Sequence, residues 1–439
     1  MFLKALKIKL MGKVNKMNYF GICKDVLTIV LKEKKDYFAL INQRCNKEKL
    51  TDKDKYICLN LVGSFLRNYY FIRKATEFVF GKNDFDVLLI TGLYFVNNAF
   101  VKSCSEEDAL NYLKEELLKK DINVSNDQIT VLNGICKDKK AYAFPSTNIR
   151  KGSMAYFSMK FNLPEWFVKM MIKYYGSENG LASCRLISRV PTQNLWLNSL
   201  KDITESDKQL LNDFELCDNG TYEYKGKGSF RKTQAIKEKV LLPIQLSYLD
   251  LLNELPNLKH SNYTIYLGGR SFIYMPIVAK YNKEGNQATI IASALKDNYE
   301  LLNIKKTYGL KNLYFNEAQP DSLDSLISKK QDLFVMFAKS SEFDKLRNSP
   351  DYSVIFDSNK LDEYIASENL SLESGAKYVS DGGYLVYCVD TLGLKETNKL
   401  VANFLENHAE FELIKEKQYL PNENNSIFYY AILRKKDNA

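Results

Sequence analysis

Between Asn18 and Lys140, apolar residues return at every third or fourth position, in segments 26–31, 56–70, 87–96 and 108–118. That is the period of helices that each bury one face. Ser105, followed by Glu106, Glu107 and Asp108, has the chemistry of an N-cap with acids in the first turn. No alternating pattern interrupts the stretch, so an all-helical region is predicted, joined to the rest by the polar segment 137–152.

From 153 to 256 the pattern is mixed. Pro164-Glu165-Trp166 opens a helix that runs through 167–175 and stops at Gly176. A strand is predicted at 195–198, and strand-and-turn chemistry at 218–226. Beyond His260, strand patterns at 263–267, 289–293, 312–315, 333–337, 384–389 and 427–434 alternate with helical ones at 276–281, 297–308 and 322–328. Alternation of this kind implies a doubly wound, mainly parallel sheet, whose ligands bind at the carboxyl ends of the strands. In Gly382-Gly383-Tyr384-Leu385-Val386-Tyr387-Cys388-Val389-Asp390, a Gly-Gly turn feeds a buried strand that ends in a carboxylate.

Composition narrows this picture only a little. The 439 residues are 45% hydrophobic, enough for two or three domains. Sixty-two Lys and Arg against 53 Asp and Glu give a net charge of +9, which is compatible with nucleic acid without demanding it. The 29 Tyr offer stacking surfaces or simple core packing. Eight Cys without a CxxC, and only His260 and His408, speak against a zinc site and a His-based triad. Reduced, buried thiols in a cytoplasmic protein are the expectation. No apolar run approaches the ~18 residues that span a bilayer, so no membrane partner is expected. Residues 1–17 form a basic, amphipathic extension without a secretory apolar core.

Three blocks together resemble the Sun/Fmu-type bacterial 16S ribosomal RNA cytosine-5 methyltransferases. Leu88-Leu89-Ile90-Thr91-Gly92-Leu93-Tyr94-Phe95 and Leu132-Asn133-Gly134-Ile135 are similar to that family's NusB-like domain. Phe157-Ser158, Pro164-Glu165-Trp166, Tyr175-Gly176 and the strand at 195–198 are similar to its linker region. Gly382 to Tyr387 and Asn407-His408-Ala409-Glu410-Phe411 are similar to the end of its Rossmann-type domain. The resemblance implies a multidomain chain. A NusB-like helical RNA-binding domain would occupy 18–145, a small α+β linker domain 153–256, and an α/β Rossmann-type methyltransferase domain with a mainly parallel sheet 257–439.

In that family a Cys thiolate adds to carbon 6 of cytosine, and carbon 5 then takes a methyl group from S-adenosylmethionine, while a second Cys assists release. The thiolate is needed because it is nucleophilic and accessible near neutral pH. The family register places Asp390 at the nucleophile, Ser340 at the release Cys and Phe337 at the cytosine-facing acid. It places Ser293 at the ribose acid and Gln319 near the adenine-side acid, with Glu317 and Asp321 close by. Phe272 and Ile273 stand where two cofactor-loop glycines belong, although Gly268-Gly269 lie just upstream, and Cys388 shares the face of Asp390 if its strand is regular.

The expectation is therefore a degenerate member that binds RNA, with 16S ribosomal RNA the implied partner, as a monomer without cofactor. Arg270, Lys339 and Arg347 are expected around one cleft, with Lys201, Lys225, Lys227, Arg231, Lys232, Lys345 and a stacking Trp196 as further RNA contacts. The alternatives are an active methyltransferase that binds S-adenosylmethionine and uses relocated residues, and a protein-interaction scaffold. No metal is expected.

Overall fold

A computed structural model of the chain describes residues 19–81, 84–138, 149–189, 193–269, 274–282, 285–294, 300–422 and 427–437. The basic extension at 1–17 and Arg270, Phe272 and Ile273 lie outside the described residues. Two compact units are present, one drawn from 1–188 and 348–356, the other from 189–347 and 357–439.

The first unit is helical: α1 (Tyr19–Glu33), α2 (Tyr37–Lys47), α3 (Asp52–Leu66), α4 (Tyr69–Phe80), α5 (Phe85–Val96), α6 (Glu106–Leu118), α7 (Asn126–Lys137), α8 (Met154–Phe161) and α9 (Glu165–Ile187). Helix α5 is apolar on every side, and every residue from Val87 to Val96 is buried, as an all-round hydrophobic helix must be. The predicted cap is present, since the Ser105 hydroxyl accepts the Asp108 amide. The single helix predicted over 56–70 divides at Arg67 and Asn68, where the Asn68 side chain bonds back to the Ser64 carbonyl. Gly176, at φ 77°, breaks α9 where the sequence placed its end, but the chain resumes helix as far as Ile187. Residues 348–356 pack on this unit. Lys34 Nζ donates to the Val354 carbonyl at 2.7 Å and Tyr70 Oη to Ser353 at 2.9 Å.

The second unit holds two sheets. The smaller is antiparallel, in order β2-β3-β1-β4, from β1 (Asn194–Leu197), β2 (Phe214–Leu216), β3 (Tyr222–Tyr224) and β4 (Leu241–Ile244). Its core is Leu195, Ala235 and Leu241. The segment read as one linker domain, 153–256, thus contributes α8 and α9 to the first unit and the small sheet to the second.

The larger sheet runs β10-β11-β9-β8-β5-β6-β7, from β5 (Asn262–Leu267), β6 (Gln287–Ala292), β7 (Leu313–Glu317), β8 (Gln331–Phe337), β9 (Val379–Val389), β10 (Phe411–Tyr419) and β11 (Phe428–Lys435). The pairings from β7 across to β9 are parallel, and β11 and β10 add antiparallel. Gly382 and Gly383 lie inside β9 rather than in a turn before it, beside a register shift against β8 between Gln331 and Leu333. Strand β10 escaped the sequence reading because only its ends, Phe411 and Tyr419, are buried; the exposed interior, rich in Lys and Glu, suits an edge strand. Strand order reverses between β5 and β8, which sets the ligand crevice at their carboxyl ends.

Candidate functional site

The crevice is built from the residues that follow β5, β6, β7, β8 and β9. After β5, the Gly268 N–H donates to the Phe337 carbonyl at 2.7 Å. A Cβ on Gly268 would lie 2.8 Å from the Lys339 amide nitrogen, so only glycine allows the two loops to meet. Ser293, after β6, donates its hydroxyl to the Gly268 carbonyl at 2.8 Å. The Gln319 side-chain amide, after β7, donates to the Ser293 carbonyl at 3.0 Å. Gly268, Gly269, Ser293, Gln319, Phe337, Lys339, Ser340 and Asp390 are thus all placed at this edge. Gly268 and Ser293 tie the strand ends to one another.

Asp390 leaves β9 and its Oδ1 accepts the Tyr248 hydroxyl at 3.0 Å. Tyr248 comes from the helix Leu246–Glu254 and packs edge-on against Phe428, 4.7 Å between ring centres. Burial pushes the Asp390 carboxyl up to about 7; the Tyr248 hydrogen bond acts the other way, and Glu342 reinforces the rise. Beside it, Asp344 is held well above the ordinary carboxylate range by burial and by the Asp390 charge. Lys345 forms an ion pair with Glu342.

Ser340 and Cys388 are both shut away from solvent. Ser340 is buried, and its hydroxyl accepts the Glu342 amide at 3.2 Å. Cys388 is fully buried between β8 and β11, paired with Phe337 and Tyr430, and burial together with Asp390 pushes its thiol well up. All eight cysteines are free thiols, and Cys23, Cys45, Cys58, Cys136 and Cys184 are buried like Cys388.

Several expected RNA contacts are corrected by their surroundings. Arg347 is buried at 1% exposure and its Nε donates to the Arg189 carbonyl at 3.1 Å, so it braces backbone instead of facing the crevice. Lys201 is held at 2.5 Å by the buried Asp207, which caps the turn at Thr204. Trp196 is half-buried, paired across the small sheet with Leu242, on the face opposite Leu195. Lys225 lies between Glu223 at 2.6 Å and Glu215 at 3.2 Å. By contrast Lys227, Arg231, Lys232 and Lys339 are exposed and, among the described residues, carry no ion pair.

The sequence reading missed Tyr248, Asp344 and a buried pair of carboxyls, Glu368 and Glu396. For Glu368 a signal existed: it precedes Leu372 by four residues and Gly375 by seven, which puts it on the buried stripe of its helix. Among the described residues, no group of His, Cys, Asp and Glu has the arrangement to hold a metal ion, and no single helix is long and apolar enough to cross a membrane.

The helical unit and the mainly parallel sheet define a helical region joined to a Rossmann-like domain. The crystal structure of PH0851 matches 96% of this chain and 99% of its own, with TM-score 0.71 and 15% identity. A methyltransferase homolog protein from Pyrococcus horikoshii matches 65% of this chain and all of its own, with TM-score 0.55 and 12% identity. NSun6 from Pyrococcus horikoshii, solved with SFG, matches 63% of this chain and 99% of its own, with TM-score 0.50 and 13% identity. At these identities the likeness is one of fold. No family model matches the sequence, and no curated protein sequence matches it.

Proposed function

We propose that this chain binds RNA, with ribosomal RNA the first target to test, on a scaffold of the RNA methyltransferase type, and that it does not perform thiol-dependent methylation of cytosine. One observation supports the reading: Cys388, near the two positions that the family resemblance assigns to sulfur (Asp390 and Ser340), is sealed in the sheet. A carboxylate is a poor nucleophile toward an unsaturated ring carbon, and a serine hydroxyl needs a general base that Ser340 lacks in its buried turn. Ser293 and Gln319, at the positions of the cofactor-binding acids, are neutral and already bonded to the sheet edge, so they do not fit a ribose-holding acid pair. RNA affinity would come from Lys227, Arg231, Lys232 and Lys339, which are exposed and form no ion pair among the described residues.

Bisulfite sequencing of ribosomal RNA with and without the gene tests the catalytic half. No methylcytosine is expected to disappear, and loss of one would overturn the reading. Filter binding to 16S fragments tests the other half, with saturable, salt-weakened binding expected.

The fold shared with NSun6, solved with SFG, favours a second reading, methyl transfer from S-adenosylmethionine to a nitrogen or oxygen without a thiol. Saturable calorimetric heat with S-adenosylmethionine would select it.

A further inference from the structure

The loops that carry Ser340 and Asp390 are fastened to each other through one carboxyl. Glu396 Oε1 accepts the Ser341 amide at 2.7 Å, and its Oε2 accepts the Ser341 and Thr391 hydroxyls, each at 2.9 Å. The two hydroxyls are themselves 2.6 Å apart, and the Gly393 amide donates to Thr391 at 3.3 Å. The Tyr387 hydroxyl donates to the Glu396 backbone carbonyl at 2.9 Å. Every group in this junction is buried.

Behind Glu396 lies Glu368, in the middle of the helix Leu361–Ala376 and 0% exposed. Its carboxyl is within hydrogen-bonding reach of Glu396. Among the described residues no N–H or O–H group donates to either Glu368 oxygen. The groups that face the pair are neutral or acidic: Ser341 from the β8 loop, Thr391 from the β9 loop, Tyr387 from β9, and Tyr364 one turn earlier on the Glu368 helix. Neither carboxyl has a salt bridge among the described residues. Two carboxylates in contact, out of water and without a cation, cannot both stay ionised. A proton on Glu368 resolves the conflict, because it supplies the one donor that its oxygens lack and gives Glu396 a further partner.

We infer that Glu368 and Glu396 share a single proton at neutral pH, and that this proton keeps the β8 and β9 loops fastened at the carboxyl edge of the sheet. Glu396 is then a positioning residue for the crevice, and Glu368 is the group that makes its grip pH-dependent. The inference does not depend on what the crevice binds. The sign follows from burial. The fold favours the protonated pair, whereas both groups ionise in the ordinary carboxylate range when unfolded. The grip is therefore complete below the ordinary carboxylate range, weakens as pH rises from there to the folded value, and changes no further above it. Between the ordinary carboxylate range and that value a proton is released on opening, so the opening equilibrium grows by about tenfold per pH unit there and levels off above it.

Hydrogen-exchange protection factors of the Ser341 amide and of the Thr391–Glu396 loop, measured from pH 6 to pH 10 on the full chain, test the idea. Wild-type protection is expected to fall by about tenfold per pH unit in the lower part of that range and to level off above the folded value. In Glu368→Gln, whose amide donates at every pH, protection should stay flat. A wild-type slope retained in Glu368→Gln overturns the inference, as does a flat wild type. Should that variant not fold, infrared spectra of wild-type protein carrying carbon-13 only in its glutamate side chains give a second answer. A protonated glutamic acid band at pH 7 is expected, and its absence overturns the shared proton.

Discussion

The Tyr248 hydroxyl reaches the Asp390 carboxylate at 3.0 Å across 142 residues of sequence, and places a phenol against the carboxyl that ends β9. Because that hydrogen bond favours the ionised carboxyl against burial, Tyr248→Phe should move the Asp390 titration above its value of about 7. Packing on Phe428 survives in the variant, so the loss is confined to the hydrogen bond. It should amount to about 2 kcal/mol at pH 9 and less at pH 5, where Asp390 is protonated in either protein. Carbon NMR of the aspartates and urea unfolding at the two pH values measure both effects. An unmoved titration would show that the contact is unimportant.

Thiol labelling separates a sealed sulfur from a displaced nucleophile. Cys104 and Cys217 are partly exposed and should react with an alkylating reagent in the native protein, whereas Cys388 should react only after denaturation. Rapid labelling of Cys388 in native protein, read by peptide mass spectrometry, would reopen the case for thiol chemistry.

His408 provides a pH test at a distance from the crevice loops. Burial alone would lower its pKa, but hydrogen bonds with Glu410 at 3.1 Å and Glu373 at 2.8 Å outweigh burial and hold the ring above its ordinary value. A raised pKa in the fold means that its stabilisation is complete below the unfolded value of about 6.5 and disappears as pH rises through the folded one. The Tm of wild-type protein should fall across that window relative to His408→Gln, whose Tm should lack this component. Parallel Tm profiles for the two proteins would contradict it.

RNA affinity should reside in the unmatched cations. Replacing Lys227, Arg231 and Lys232 together by Ala should weaken filter binding, and should flatten the logarithmic salt dependence by roughly 0.7–0.9 for each phosphate that is no longer neutralised. Lys225→Ala and Lys201→Ala, which remove cations already held by carboxylates, should leave affinity nearly unchanged. Equal weakening in all variants would point to a diffuse charge effect instead of a defined surface.

Much of the architecture was legible in the sequence because local rules governed it. Helical periodicity marked α1, α3, α5 and α6, and Ser105 marked a cap. The runs at β5, β6, β8 and β11 are largely apolar because strands covered on both faces must be. Strand β10 was invisible because an edge strand with a charged interior carries no apolar pattern.

The sequence by itself determined the order of helices and strands, and the chemical identity of the groups at the strand ends, a carboxylate at Asp390 and a hydroxyl at Ser340. Tertiary structure alone decided which groups are available and what state they hold. It buried Arg347, matched Lys201 with Asp207, and brought Glu368 against Glu396 from 28 residues away along the chain. The reason is physical. Periodicity is a property of neighbours a few residues apart, whereas desolvation and charge pairing depend on every group that the fold gathers around a side chain, and those partners come from distant segments.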